Sequence, residues 1–157
     1  MPKITPNLWF DGNGEEAAAF YCSIFPNSKV TAITHYRGED APAPDGTVMT
    51  VDFELDGQGF TAINGGPQFT FDEAVSFLIE CADQAEIDHY WDALLAGGGQ
   101  EAQCGWLKDR FGLSWQVVPA GWNELLLGDP QRAQRAMSAV MSMVKIDIAA
   151  VHAAADG

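Results

Sequence analysis

Basic residues are scarce in this chain: eight Lys and Arg stand against 22 Asp and Glu, for a net charge of -14. Phosphate recognition needs a basic face, and no basic run exists to supply one, so neither DNA nor RNA is expected as a partner. Cysteine is scarcer still. Cys22, Cys81 and Cys104 are odd in number and lack ligand spacing, which argues against a disulfide framework and against a zinc cluster. Free thiols of this kind are commonly buried, and they fit a reducing cytoplasm. No stretch approaches the roughly 20 apolar residues of a membrane helix, so no membrane role is expected. The stretch Met1-Pro2-Lys3-Ile4-Thr5-Pro6 lacks the apolar core of a secretory signal. The three histidines, His35, His89 and His152, are scattered, and no Ser/His/Asp arrangement can be read from their spacing. His89 beside Asp88 and Asp92 reads as solvated surface.

What the chain does contain is an ordinary globular balance, 47% hydrophobic and 19% charged over 157 residues. That length suits one compact domain, or two small halves sharing a core. A pattern written twice, 70 residues apart, favours halves. Asn13 and Asp83 each stand three residues before a glutamate, Glu16 and Glu86, the signature of a capping box. Ala17, Phe20, Tyr21 and Ile24 follow the first cap, and Ile87, Tyr90, Trp91 and Leu94 follow the second. Both sets fall on one helical face at the same phase.

A short apolar strand precedes each helix (Leu8-Trp9-Phe10 and Val75 to Cys81), and a turn follows each (Pro26-Asn27-Ser28 and Gly97-Gly98-Gly99). Lys29 to Tyr36 reads as a strand, Arg37 to Gly46 as a polar loop placed to cover something, and Val48 to Leu55 with Gly59 to Asn64 as a hairpin turning at Asp56-Gly57. In the second half, Gln100 to Arg110 holds one or two short strands, and Leu113 to Val118 is the last. Beyond Gly121, Ala133, Met137, Val140, Met141 and Val144 recur at helical spacing after Asp129-Pro130, and Asp147 is placed to cap a final short helix carrying Ile148 and Val151. The expected organisation is a single α+β domain over 1–157, built from a first module (1–67), a second module (68–120) and C-terminal helices (121–157) that dock on the sheet or on a second subunit.

Several strings then combine: Leu8-Trp9-Phe10-Asp11-Gly12, Ile63-Asn64-Gly65-Gly66-Pro67, Asp88-His89-Tyr90-Trp91, Cys104-Gly105-Trp106-Leu107-Lys108-Asp109, Ser114-Trp115-Gln116-Val117-Val118-Pro119 and Met143-Val144-Lys145-Ile146-Asp147-Ile148-Ala149-Ala150. From about residue 4 to residue 154 the chain resembles the PhnB-like branch of the vicinal oxygen chelate superfamily, which also holds glyoxalase I, bleomycin-resistance proteins and extradiol dioxygenases. The resemblance implies paired βαβββ modules, each curling into a half-barrel cleft, and a homodimer. Members of the branch often carry the name 3-demethylubiquinone 3-methyltransferase. The chemistry of that name is not supported by Gly97-Gly98-Gly99, because this run follows a helix and reads as a helix stop rather than as a cofactor turn.

Metal-using relatives place His or carboxylate ligands on the first and last strand of each module. The matching positions here are near Pro6, near Ala62 or Asn64, Ser76 and Gln116, and these side chains are poor cation donors. No metal and no cofactor is therefore expected.

Strand alternation puts Ser114, Gln116 and Val118 on one side of the last strand, and Ser76, Leu78 and Glu80 on one side of the strand opening module two. Glu80 is a candidate general base if apolar neighbours desolvate it; alternatively it is wetted at the strand end. Asn64 can offer an amide to a ligand or close its own turn. Trp106 can stack on a planar ligand and Lys108 can meet an anionic one, or Lys108 and Asp109 simply pair with other surface charges. The expected function is the binding of a small organic molecule, with Asn64, Ser76, Gln116, Trp106 and Lys108 as ligand-binding candidates and Glu80 as the catalytic one. An acidic cleft favours a cationic ligand. Catalysis and simple sequestration, as in bleomycin resistance, both remain open.

Overall fold

The computed structural model describes residues 3–157; Met1 and Pro2, part of the stretch read above for a signal, lie outside the described residues. The chain divides into two compact units, one ending at Phe71 and one running Asp72–Gly157. Each unit repeats one order of elements.

The first comprises β1 (Asn7–Phe10), α1 (Gly14–Ile24), β2 (Lys29–His35), β3 (Val48–Leu55) and β4 (Gln58–Asn64). Its sheet runs β1-β4-β3-β2, with β1 parallel to β4 and the other pairs antiparallel. In the second, β5 (Ser76–Cys81), α2 (Gln84–Leu95), β6 (Gln100–Glu101), β7 (Trp106–Lys108) and β8 (Ser114–Pro119) give the order β5-β8-β7-β6, again with the first pair parallel. The duplicated pattern of the sequence is a duplicated βαβββ unit.

Helix α1 buries Gly14, Ala17, Ala18, Tyr21 and Ile24 against its sheet, where Leu8, Phe10, Val51, Phe53, Phe60 and Ala62 meet it. Phe53 stacks between Tyr21 and Phe60, with ring centroids 6.3 and 5.5 Å away. Helix α2 buries Ile87, Tyr90, Trp91 and Leu94, the four residues its periodicity selects. Their sheet partners include Leu107, Trp115 and Val117.

The two caps differ. Asp83 accepts from the Glu86 N–H at 2.9 Å, as expected of an N-cap. Asn13 makes no side-chain cap bond. The helix start is held from elsewhere: Asn64 Oδ1 accepts the N–H of Gly14, the first helical residue, at 2.8 Å. Gly14 is required at this place, since a Cβ there would stand 2.7 Å from Asn64 Oδ1 and 3.2 Å from Ala62 Cβ.

After β8 come α3 (Trp122–Leu127), α4 (Pro130–Met141) and α5 (Ile148–Asp156). Asp129 caps α4 through the Arg132 N–H at 3.0 Å, and Asp147 caps α5 through the Ala150 N–H at 3.1 Å. The face of α4 that packs is only partly the expected one, since Val140 is buried as its spacing suggests. Ala136 and Val140 are buried with Val118, Ile146, Val151 and Ala155, whereas Met137 and Met141 are exposed. Residues 143–144 then run beside the entry to β7, where their carbonyls accept the Cys104 and Gly105 N–H groups at 2.8 Å.

Candidate functional site

In the second unit, one face of the sheet is occupied by α2 and the other carries the candidate residues. The register pairs Ser76 with Ser114, Leu78 with Gln116 and Glu80 with Val118 across the parallel β5–β8 ladder. Across β7–β8 it pairs Trp106 with Gln116 and Lys108 with Ser114. Since side chains alternate along a strand, Ser76, Leu78, Glu80, Trp106, Lys108, Ser114 and Gln116 share the face away from α2. Phe77 and Trp115, whose rings lie 5.7 Å apart, mark the opposite face. Val118 also belongs to the outer face, but the C-terminal helices cover it.

Within this open face the Gln116 side chain donates from Nε2 to Ser76 Oγ at 2.9 Å. Both residues are half-buried, and Leu78 beside them is 49% exposed. Gln116 therefore has its amide oxygen left for another donor. Glu80 is exposed at the end of β5, so the apolar enclosure that would desolvate it is not present around it. Lys108 is ion-paired with Glu73, a residue of the segment entering β5. Hydrogen bonding from the Lys108 ammonium holds the Glu73 carboxyl below the usual carboxylate range.

Asp109 corrects the picture of a surface charge beside Lys108. It is only 3% exposed, and its carboxylate accepts from the Phe111 N–H at 2.8 Å, the Leu113 N–H at 3.1 Å and the Trp115 indole at 2.9 Å. It ties the β7–β8 turn to the helix-facing core. Asp88 likewise pairs with Lys145 at 2.8 Å, while His89 stays exposed with its ring edge-on to Tyr90.

In the first unit, Asn64 pairs with Phe10 and so lies on the helix side of its sheet. Its amide is spent on the backbone: Oδ1 takes Gly14, and Nδ2 donates to the Val48 carbonyl at 3.1 Å. Neither bond closes the residue's own turn at Gly65-Gly66; both tie it to backbone remote in sequence. The residue nevertheless lines a cavity of about 500 Å³ with Asp11, Glu15, Tyr36 and the 42–48 loop. The polar loop read from Arg37 to Gly46 supplies much of that wall.

The open face of this first sheet carries Asn7, Trp9, Thr50, Asp52, Thr61 and Ile63 by the same alternation. Asp52 accepts from Thr61 Oγ1 at 2.7 Å.

The comparisons with known proteins agree with this architecture. A family profile described as 3-demethylubiquinone-9 3-methyltransferase matches residues 2–118. The chain belongs to this PhnB-like family of the vicinal oxygen chelate superfamily. A PhnB protein from Bacillus cereus, described as a putative 3-demethylubiquinone-9 3-methyltransferase, is 37% identical with a TM-score of 0.68, covering 76% of this chain and 100% of its own. A Pseudomonas aeruginosa protein shares the fold at 23% identity and a TM-score of 0.60, covering 76% of this chain and 98% of that one. The fosfomycin resistance protein FosX from Listeria monocytogenes shares it at 16% identity and a TM-score of 0.54, covering 78% and 94%. Among curated proteins none matches. The profile ends before α3, so the Met143–Ala150 string read as part of the resemblance lies outside the matched range.

Metal-using members of the superfamily would need cation donors on the open faces. In the first unit Ala62 and Asn64, expected at such positions, lie on the helix side. The open faces of the first and last strands therefore present Asn7 and Thr61 in that unit, and Ser76 and Gln116 in the second. These are neutral hydroxyls and amides, and they do not fit a divalent ion, which takes imidazole, thiolate or several charged oxygens. Among the described residues, no group of three or more His, Cys, Asp or Glu side chains is placed to hold one. No helix among them is long and apolar enough to cross a membrane.

Proposed function

We propose that this PhnB-like chain binds a small organic molecule on the open face of its second sheet, through neutral hydrogen bonding rather than through a tightly held metal. The observation that carries the reading is the Gln116–Ser76 hydrogen bond at 2.9 Å, which fixes two polar side chains beside the apolar Leu78 and Trp106 on this face. A few oriented polar groups among apolar ones is the usual make-up of a small-molecule site. In this reading the protein works as a homodimer, as the family resemblance implies, in the cytoplasm and with no membrane partner, and its acidic charge is in keeping with no nucleic acid partner.

Two uses of such a site remain distinct. In the catalytic one, Glu80 at the end of β5 acts as general base on a bound ligand held by Ser76 and Gln116. In the other, the ligand is sequestered unchanged, as in bleomycin resistance. Methyl transfer, the chemistry in the family's description, is not part of the proposal. Gly97-Gly98-Gly99 terminates α2, with the Gly99 N–H bonded to the Leu95 carbonyl at 2.9 Å, and forms no turn between a parallel strand and its helix.

The test is a thermal-shift screen of small organic molecules, followed by Ser76→Ala and Gln116→Ala. The stabilisation given by a true ligand falls in both variants, and stabilisation that survives both overturns the site. With that ligand in hand, loss of turnover but not affinity in Glu80→Gln supports the enzyme. Recovery of unaltered ligand after long incubation with stoichiometric protein supports sequestration.

A further inference from the structure

We propose that the cavity beside β6 and β7 is a binding site for a small organic monocarboxylate, and that Glu73 occupies the carboxylate position on Lys108 until such a ligand displaces it. This deepens the open-face reading and rests on it, because Trp106 and Lys108 belong to both. The cavity has a volume of about 260 Å³, and its lining includes Glu73, Gln100, Trp106, Lys108 and Ser114. It is smaller than the roughly 300–1,000 Å³ of drug-sized sites, which suits a short acid and excludes a nucleotide.

The cavity already holds one half of the recognition. Lys108 is the one cation in its lining, and its partner there is a carboxylate of the same chain. That partner is loosely placed. Glu73 is exposed, three residues before β5 begins, with 61% of its side chain open to solvent. Exposed pairs of this kind are weak and exchange readily with competing ions.

The second half is Ser114. Its residue is 1% exposed, and its Oγ is a buried side-chain oxygen with no hydrogen-bond partner among the described residues. Buried hydroxyls are nearly always bonded, and leaving one unpaired is costly. Ser114 stands directly across from Lys108 in the β7–β8 ladder, the closest relation two strand residues can have. A bound carboxylate has two oxygens to divide, one to the Lys108 ammonium and one to the Ser114 hydroxyl.

Charge selects the monoanion. Replacing the Glu73 carboxylate by another leaves the local balance unchanged. A dianion adds a further negative charge beside Glu101, which also lines the cavity while accepting the Trp91 indole at 3.0 Å. Trp106 offers the apolar wall against which the body of the acid can lie.

Benzoate is the probe, with benzamide as its neutral isostere and phenylphosphonate as its dianion. Binding is read from the Trp106 indole and the Ser114, Ser76 and Gln116 amide resonances in the full chain. The expected result is saturable binding of benzoate, weaker or absent for both controls. Glu73→Gln tightens it about two- to fivefold by removing the internal competitor. Lys108→Gln loses about tenfold or more, Lys108→Arg recovers most of it, and Ser114→Ala loses about fivefold. Thermal melts confirm that each variant is folded.

Two outcomes overturn the proposal. One is binding that ignores charge, benzamide equalling benzoate. The other is no saturable shift in Glu73→Gln at up to about 10 mM. If another ligand moves Ser76 and Gln116 while Lys108→Gln leaves its affinity unchanged, the open-face reading stands and the carboxylate site falls. If no ligand moves either pair, both fall.

Discussion

Asn64 Oδ1 accepts the Gly14 N–H at 2.8 Å, so the first turn of α1 is capped by a residue 50 positions further along the chain. The same amide donates to the Val48 carbonyl at 3.1 Å, and the Asn64 carbonyl accepts the Tyr36 hydroxyl at 2.6 Å. One side chain thus joins the helix start, the end of β4 and the start of β3. Asn64→Ala leaves a part-buried N–H and C=O without partners and is expected to cost about 2–4 kcal/mol in chemical denaturation. Asn64→Asp keeps the acceptor for Gly14 but sets a carboxylate oxygen against the Val48 carbonyl, so it destabilises as well. Asn13→Ala, at the position the sequence marks as the cap, changes stability by no more than about 0.5 kcal/mol. Asp83→Ala, at the true cap of α2, costs about 1 kcal/mol.

These caps show where sequence reading succeeds and where it stops. Ile87, Tyr90, Trp91 and Leu94 are legible because helical period and burial coincide, and all four are buried. The open face of the second sheet is legible too, since alternation along β5 and β8 needs only the strand bounds. Asn13 misleads because its offset from Glu16 is right, yet its side chain makes no cap bond, and the residue that does bond the helix start, Asn64, is remote in sequence. Met137 and Met141 mislead because hydrophobicity ranks them above Ala136, yet close helix packing selects the small residue, and Ala136 is fully buried. The six residues of α3 span fewer than two turns, too few for a helical repeat to show. Glu73 stands just before the strand read from Val75 to Cys81, and nothing local ties it to Lys108.

Asp109 is the second unit's counterpart to Asn64, a polar side chain that organises backbone rather than meeting solvent. Asp109→Asn retains a carbonyl oxygen but turns an amide donor toward one of three existing donors, Phe111 N–H, Leu113 N–H or the Trp115 indole. The expected loss is about 2–3 kcal/mol. Trp115→Phe removes one of the three and is expected to cost about 1–2 kcal/mol. Because Asp109 and Trp115 share a bond, the double variant costs less than the sum of the singles. A double-mutant cycle in urea that is strictly additive contradicts the coupling.

Cys81 gives a pH dependence of definite sign. Burial pushes its thiol up to about 12, with Glu86 and Asp83 adding repulsion toward the thiolate. The unfolded thiol ionises near pH 8.5. The fold favours the protonated form, so this contribution is complete below that pH and is lost as pH rises toward 12. Equilibrium stability should fall from about pH 9 upward, with a shallower slope in Cys81→Ala than in the parent. Iodoacetamide at pH 8 should leave Cys81 unmodified in the native chain and label it after unfolding.

Gly105 joins the second sheet to the C-terminal helices. Its N–H donates to the Val144 carbonyl and its own carbonyl accepts the Val117 N–H, both at 2.8 Å. Its φ is +81°, and a Cβ there would meet Ile146 Cδ1 at 2.8 Å and the Val117 oxygen at 2.9 Å. Gly105→Ala therefore carries a left-handed backbone penalty and a clash with Ile146, a buried member of the cluster that holds α4 and α5. The two effects act at the same seam, and relief comes most easily by moving the 143–146 segment, since the Val117 strand is pinned by β5. Limited proteolysis should cleave the Gly105→Ala chain within 141–148 well before the parent, and amide exchange should quicken there while Ile87 and Leu94 in α2 stay protected. Uniform loss of protection across the second unit would show instead that the C-terminal helices and the sheet unfold as one.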